Sequence, residues 1–163
     1  MDRMTPRRMI NDASEFFDAA NILWPANTDL LYQLNELTPF VVHYLIGHSI
    51  ELSLKSFLLS RGLKINELRS RKYGHDLSAL LIESRRRKLG KIVKLTQREI
   101  KAINLLNVFY KDKLLEYTEI GFYSFPPYTL INCIADKLHS KVRLFCGLRP
   151  FRSKFKTSIY FRK

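Results

Sequence analysis

Residues 40–59 limit the folds open to this chain more than any other segment, because they are apolar with few interruptions. Thr38 and Pro39 precede them. This pair is typical of a helix start, since Thr caps free N–H groups and Pro is tolerated at the first helical position. Gly62 follows, where a C-capping glycine belongs. A helix that is apolar on nearly all sides must be surrounded by other elements. The sequence therefore predicts a central, buried helix over residues 40–61.

The other segments also carry helical signals. Asp76 can cap a helix, and Thr96 with Glu99 forms a T-x-x-E capping box ahead of another. No segment alternates between apolar and polar residues for more than a few positions, which argues against strands. We therefore expect an all-α fold of five or six helices. The further predicted helices are 12–23, a short one over 29–37, 77–88 ended by Gly90, one after Thr96, and a last one from Pro126-Pro127 to near Gly147.

The composition fits one globular domain. The chain has 163 residues, 46% hydrophobic and 12% aromatic, which is enough to build a core and too apolar for a disordered protein. Its two cysteines form neither a disulfide framework nor a metal-binding pair, which favours a reducing compartment. No phosphate-binding glycine loop or hydrolase signature is present. We expect no metal and no cofactor, because the histidine spacings match no ligand frame. The histidines are His43, His48, His75 and His139.

No segment has the pattern of a targeting sequence or a membrane span. The N-terminal arginines are not followed by an apolar stretch, as they would be in a secretory signal. Glu51 and Lys55 interrupt the apolar run, and charges at these positions would be costly in lipid. The sequence predicts a cytoplasmic protein that does not enter a membrane.

The basic residues are concentrated in one part of the chain. The net charge is +13, yet residues 1–68 hold 6 basic and 8 acidic side chains, whereas residues 69–163 hold 22 basic and 7 acidic ones. This asymmetry indicates either a polyanion partner, which could be RNA, DNA or an anionic membrane surface, or simply a well-solvated surface. The candidate nucleic-acid ligands are Arg71, Lys72, Arg85, Arg86, Arg87, Lys88, Lys91 and Lys94.

Residues 147–163 form a basic and aromatic tail. Cations that contact phosphates and rings that stack on bases suit nucleic acid. A loose terminus whose rings pack on the domain explains the same composition, and both readings stay open. The tail carries Arg149, Arg152, Lys154, Lys156, Arg162 and Lys163, with Phe151, Phe155, Tyr160 and Phe161 between them.

His48, Glu51 and Lys55 lie at helical spacing on one stripe of the central helix. Buried charges persist when they are paired and hydrogen-bonded, so this stripe should meet polar groups of another helix. A structural cluster is the favoured interpretation, and a ligand or RNA pocket is the alternative. Glu83 and Glu116 are expected to lie nearer solvent.

The loop before the Asp76 cap crowds cations around a histidine. Arg69 or Arg71 could hold a phosphate while His75 moved a proton, which is the minimum for metal-independent cleavage of RNA at a 2′-hydroxyl. Nearby cations favour the neutral imidazole, the form that acts as a base. The alternative is that His75 hydrogen-bonds Glu51 and fixes the loop. We expect the imidazole within reach of Glu51 or of its own capping groups, with Lys55 largely shielded from solvent.

Taken together, these segments resemble the HEPN domain, in the subgroup with a Gly-His-Asp-Leu loop. The resemblance covers roughly residues 38–145. The residues that carry it are the helix 50–59, Tyr73-Gly74-His75-Asp76-Leu77 with Leu80-Leu81, Leu105-Leu106-Asn107 with Tyr110, Leu115-Glu116-Tyr117, Gly121 and Pro126-Pro127.

The resemblance implies an up-and-down helical bundle that is usually dimeric and acts in RNA cleavage, in toxin–antitoxin pairs with a nucleotidyltransferase partner, or in phage defence. It divides the chain into an N-terminal segment, 1–37, a core, 38–146, and the tail, 147–163. Arg69-Ser70 with His75 fits the spacing of the family's ribonuclease motif. In active members, however, that motif begins a late helix, whereas here it precedes the third or fourth.

Three functions follow from this reading. The first is an RNA-associated module that does not cleave RNA. The second is a metal-independent endoribonuclease toxin that uses Arg69 and His75. The third is a helical scaffold for a protein partner.

Overall fold

All regular secondary structure in the described part of the chain is helical, which confirms the predicted all-α class. The computed structural model describes residues 4–24, 38–111 and 125–151. The predicted helix over 29–37 and most of the tail lie outside these ranges. The helices are α1 (Pro6–Leu23), α2 (Thr38–Ser60), α3 (Ile65–Leu68), α4 (Leu77–Arg86), a 3-10 turn (Leu89–Lys91), α5 (Gln97–Lys111) and α6 (Tyr128–Phe145).

Helix α2 is the centre of the bundle, as its composition predicts. It packs against α1, α4, α5 and α6. Ile46, Ile50 and Leu54 on this helix are completely buried. Gly62 ends the helix with a φ of +86°, and the Leu63 N–H donates back to the Leu58 carbonyl at 3.0 Å. The backbone therefore turns where only glycine is free of steric cost.

Two predicted boundaries were wrong. Helix α1 begins at Pro6 rather than at residue 12, because Thr5 caps it by accepting from the Arg8 N–H at 3.2 Å. Met9 and Ile10 are buried, so packing stabilises this first part of the helix. Helix α4 ends at Arg86 rather than at residue 88, because Lys88 takes a left-handed conformation.

The predicted caps at Asp76 and Thr96 are confirmed, whereas Thr38, the predicted N-cap of α2, is already its first helical residue. Asp76 accepts from the Ala79 N–H at 2.9 Å. The Thr96 hydroxyl accepts from the Glu99 N–H at 3.3 Å, and the Glu99 carboxylate accepts from the Thr96 N–H at 2.6 Å. Helix α6 begins directly after Pro127, and the chain turns away from the helix at Gly147, whose φ is +73°.

The start of the tail packs on the bundle. The Phe151 ring meets the edge of the buried His139 ring, with 5.3 Å between centroids, and lies near the Arg143 guanidinium. Residues 152–163 lie outside the described ranges. Among the described helices, none is long and apolar enough to cross a membrane.

Candidate functional site

Glu51 is the centre of a buried polar cluster on α2, and only 2% of the residue is exposed. Its Oε1 accepts from Lys55 Nζ at 2.5 Å. Its Oε2 accepts from the Tyr110 hydroxyl at 2.5 Å and from His75 Nδ1 at 3.1 Å. The expected contact between His75 and Glu51 is therefore present. One carboxylate receives donors from its own helix, from α5 and from the loop before α4.

Lys55 ties that loop to the cluster a second time. Its Nζ also donates to the Gly74 carbonyl at 2.6 Å. The side chain is 12% exposed, so the expectation that Lys55 is largely shielded is confirmed. A buried ammonium needs this many acceptors because its own desolvation is costly.

His48 completes the predicted stripe. Its Nδ1 lies 2.9 Å from the Tyr110 hydroxyl and 3.5 Å from Glu51 Oε2. Because that hydroxyl gives its proton to Glu51, its oxygen is left to accept from His48. The ring also meets the edge of the Phe16 ring, with 4.4 Å between centroids. The structure thus brings together all four members of the predicted cluster: His48, Glu51, Lys55 and His75.

The donors around Glu51 determine its protonation. Burial raises the pKa of this carboxyl, but the hydrogen bonds from His48, His75 and Lys55 and the charge of Lys55 outweigh it. The pKa of Glu51 therefore lies well below its usual range, and the residue stays ionised at neutral pH.

Tyr110 is the member of the cluster that the sequence reasoning missed. Its ring lies so close to Gly47 that a Cβ added there would be 2.8 Å from a ring carbon. Gly47 and Glu51 are one helical turn apart, so the absence of a side chain at one lets the hydroxyl reach the other. A signal was present: Asn107 and Tyr110 are polar groups at i and i+3, on the buried side of α5.

The loop that carries His75 is also fixed from α5. Asp76 Oδ1 accepts from Asn107 Nδ2 at 3.1 Å, and Asp76 Oδ2 pairs with Lys111 at 2.8 Å. Asn107 Oδ1 accepts from the Leu77 N–H at 2.7 Å. The Gly-His-Asp-Leu segment therefore docks on two helices through polar contacts, and its contact with Glu51 within one chain favours a structural role for His75.

The two predicted catalytic residues, Arg69 and His75, lie in the stretch between α3 and α4. Arg69 is the C-cap residue of α3, and its side chain is exposed. The His75 side chain is 45% exposed while its Nδ1 is held by Glu51. Within the described residues, no group of three His, Cys, Asp or Glu side chains is placed to hold a metal ion.

A correction concerns Glu83, which was expected near solvent but is buried. Its carboxylate accepts from Arg86 Nε at 2.9 Å and Nη2 at 2.8 Å, and from Arg87 Nε at 2.6 Å. Hydrogen bonds from Arg86 and then Arg87 lower the pKa of Glu83 to about 2. These two arginines, both predicted phosphate ligands, are therefore already engaged by a carboxylate. Arg87 also donates to the Arg61 carbonyl.

The other cations of residues 85–101 form what we call the basic surface. All six are exposed, and none is paired with a carboxylate in the part of the chain that the structure describes. The neighbouring acids are used elsewhere, since Glu83 binds the two arginines and Glu99 binds Lys137 at 2.7 Å. The basic surface comprises Arg85, Lys88, Lys91, Lys94, Arg98 and Lys101.

The loop before α4 carries two further predicted nucleic-acid ligands, Lys72 and Arg71. Lys72 is exposed, lies over the Tyr73 ring at 4.8 Å, and is within electrostatic range of Glu83 and Arg86. Arg71 is also exposed. Both predicted ligands are therefore accessible. In the tail, Arg149 is exposed and its carbonyl accepts from Arg143 at 2.7 Å, while the tail cations beyond it lie outside the described ranges.

Lys88 holds a strained backbone inside the basic surface, with a φ of +71°. A non-glycine residue in this region costs about 1 kcal/mol. We expect Lys88→Gly to raise the free energy of unfolding by about 1 kcal/mol in a urea titration, because glycine adopts this conformation without strain. Lys91→Gly removes the same charge at an ordinary φ and should lower it instead. If Lys88→Gly and Lys91→Gly changed the free energy of unfolding equally, the backbone at Lys88 would not be strained.

Comparison with protein-family models, with curated proteins and with solved structures finds no match to this chain.

Proposed function

We propose that this chain is an RNA-associated, HEPN-like helical module that does not cleave RNA and that binds the phosphate backbone through its basic surface. The observation that carries this proposal is the set of six exposed cations without a carboxylate partner in the described residues. Cations that are already neutralised gain little from phosphate, whereas unpaired ones release counterions from the nucleic acid when they bind. The resemblance adds to the proposal a toxin–antitoxin or phage-defence setting, a homodimer and a nucleotidyltransferase-type partner.

The contacts of His75 support the absence of cleavage. Its Nδ1 is held by Glu51, and its loop is held by Lys55. These contacts explain why a histidine stands at this position without requiring any chemistry from it. An endoribonuclease that uses Arg69 and His75 remains the competing proposal, and RNA cleavage by the purified protein is its test.

RNA affinity is expected to fall steeply with salt. Each phosphate contact on a single strand contributes about −0.7 to the slope of log K against log salt, so six contacts give about −4. The measurement is fluorescence anisotropy of a labelled single-stranded RNA between low and physiological salt. In the Arg98→Ala/Lys101→Ala double variant, the slope should become shallower by about 1.4.

Arg8→Ala is the matched control, because Arg8 is an exposed cation on α1, which packs on α2 and α6 rather than on the helices of the basic surface. It should leave the slope unchanged. Undetectable RNA binding, or an affinity that does not change with salt, would contradict the proposed function.

A further inference from the structure

A small pocket, lined by two cations of the basic surface, opens at the turn that follows α4. Its volume is about 200 Å³. Pockets for drug-sized ligands begin at about 300 Å³, so this one suits a single ring system rather than a large cofactor. The lining residues are Arg85, Leu89, Gly90, Val93, Lys94 and Leu95.

The pocket has an apolar floor and a positively charged rim. Leu89 and Val93 are 1% and 3% exposed, so they form a fixed apolar floor. Arg85 and Lys94 are exposed at the rim, and no acidic residue lines the pocket. An apolar floor with two unpaired cations at its rim complements a flat, weakly polar ring that is attached to phosphate.

We propose that this pocket receives one unpaired nucleobase of a single-stranded RNA. This inference rests on the proposed function, since the basic surface must bring the strand to the pocket. The Arg85 guanidinium is planar and can stack on the face of the base, while Lys94 meets an adjacent phosphate as a point charge. Bases inside a duplex are stacked and paired, so they cannot enter. The pocket therefore makes the module selective for single strands.

An anionic lipid is the other ligand with an apolar part and a phosphate. Peripheral membrane binding requires an extended apolar face beside the cations. Here the apolar floor is formed by the buried side chains of Leu89 and Val93, and the whole pocket measures only about 200 Å³. The geometry therefore favours a base over an acyl chain.

Two variants test whether base stacking on Arg85 and an open pocket are needed for binding, independently of the positive charge. Arg85→Lys keeps the positive charge but loses the planar stacking group. Gly90→Leu adds a side chain at the pocket, and a Cβ at Gly90 meets nothing within 4 Å, so the fold should tolerate it. Arg98→Lys is the matched control, because Arg98 belongs to the basic surface but does not line the pocket.

The experiment compares three probes at one salt concentration: a single-stranded RNA, the corresponding RNA duplex, and inorganic polyphosphate, which has charge but no bases. The native protein should bind the single strand about tenfold more tightly than the duplex, the order expected for stacking one base. Arg85→Lys and Gly90→Leu should lose this preference and bind polyphosphate as the native protein does. Arg98→Lys should keep it, and all variants should melt at the native temperature.

Equal affinity of the native protein for single strand and duplex would overturn the pocket assignment, and the proposed function would still stand if the separate anisotropy titration showed the steep salt slope. Absence of binding to every probe would overturn both. Binding to phosphatidylglycerol vesicles that Gly90→Leu abolishes, without a preference for single-stranded RNA, would overturn the assignment in favour of a lipid.

Discussion

Glu51→Ala is expected to lower the free energy of unfolding by about 3–5 kcal/mol, the usual cost of removing one partner of a buried ion pair. The change leaves Lys55, which is 12% exposed, without its carboxylate, and it removes the acceptor of the Tyr110 hydroxyl. Because domains of this size are stable by about 5–15 kcal/mol, the loss would be a large part of the total. Urea titration monitored by circular dichroism measures it.

Two acidic residues provide controls for this result. Glu15 is exposed on α1, and Glu15→Ala should change stability by less than about 0.5 kcal/mol. Glu83→Ala should have an intermediate effect. Its partner Arg86 is 71% exposed and can return to water, which Lys55 cannot do. A loss for Glu51→Ala no larger than that for Glu15→Ala would show that the cluster does not stabilise the fold.

The same carboxylate predicts how stability depends on pH. The pKa of Glu51 is lower in the folded chain than its ordinary value of 4.5. The stabilisation that it contributes is therefore present above pH 4.5 and is lost progressively as the pH falls below that value. Glu51→Gln should be less stable than the native chain at neutral pH, and its stability should fall less steeply below pH 4.5.

His75→Ala separates the structural reading from the catalytic one. The structural reading expects a lower melting temperature, since Glu51 loses a donor and the loop loses an anchor. It also expects that the native protein does not cleave RNA. A His75→Ala protein that melts at the native temperature, together with RNA cleavage by the native protein that this change abolishes, would establish the ribonuclease instead.

Gly47→Ala is the second substitution for which we expect a large change in stability. It should destabilise the protein, although helix propensity alone predicts stabilisation. In an open helix, alanine is more favourable than glycine by about 1 kcal/mol. Here the new Cβ would lie 2.8 Å and 2.9 Å from two carbons of the Tyr110 ring. The ring must move, and its hydroxyl then leaves Glu51. We expect a net loss of about 1–3 kcal/mol, as for other overpacked cores.

A double-variant cycle tests whether Tyr110 causes this loss. In a Tyr110→Ala background, Gly47→Ala should be neutral or stabilising, because the contact that opposes it is gone. Gly90→Ala is the control in the native background, since a Cβ there meets nothing within 4 Å and should not destabilise. The same loss in both backgrounds would exclude the Tyr110 contact as its cause.

The sequence by itself determined the helical class, the central position of α2 and most of the residues that cap the helices. These features depend on local chemistry. The apolar run of α2 determines that this helix is buried, and each cap satisfies backbone groups only a few residues away. The caps are Gly62, Asp76 and the Thr96–Glu99 box. The sequence also grouped His48, Glu51 and Lys55, because residues at i, i+3 and i+7 share a helix face whatever the helix packs against.

Only the tertiary structure decided what meets those faces. Tyr110 contacts Glu51 although the two residues are 59 positions apart, and Gly47 makes room for the Tyr110 ring. A local pattern places Tyr110 on the buried side of its helix, but it does not encode which residue Tyr110 contacts there. The burial of Glu83 shows the same limit: a glutamate followed at i+3 and i+4 by arginines has the pattern of a solvated helix face, yet packing encloses its carboxylate. Charge and periodicity are properties of a segment, whereas burial and partner choice depend on how the segments pack.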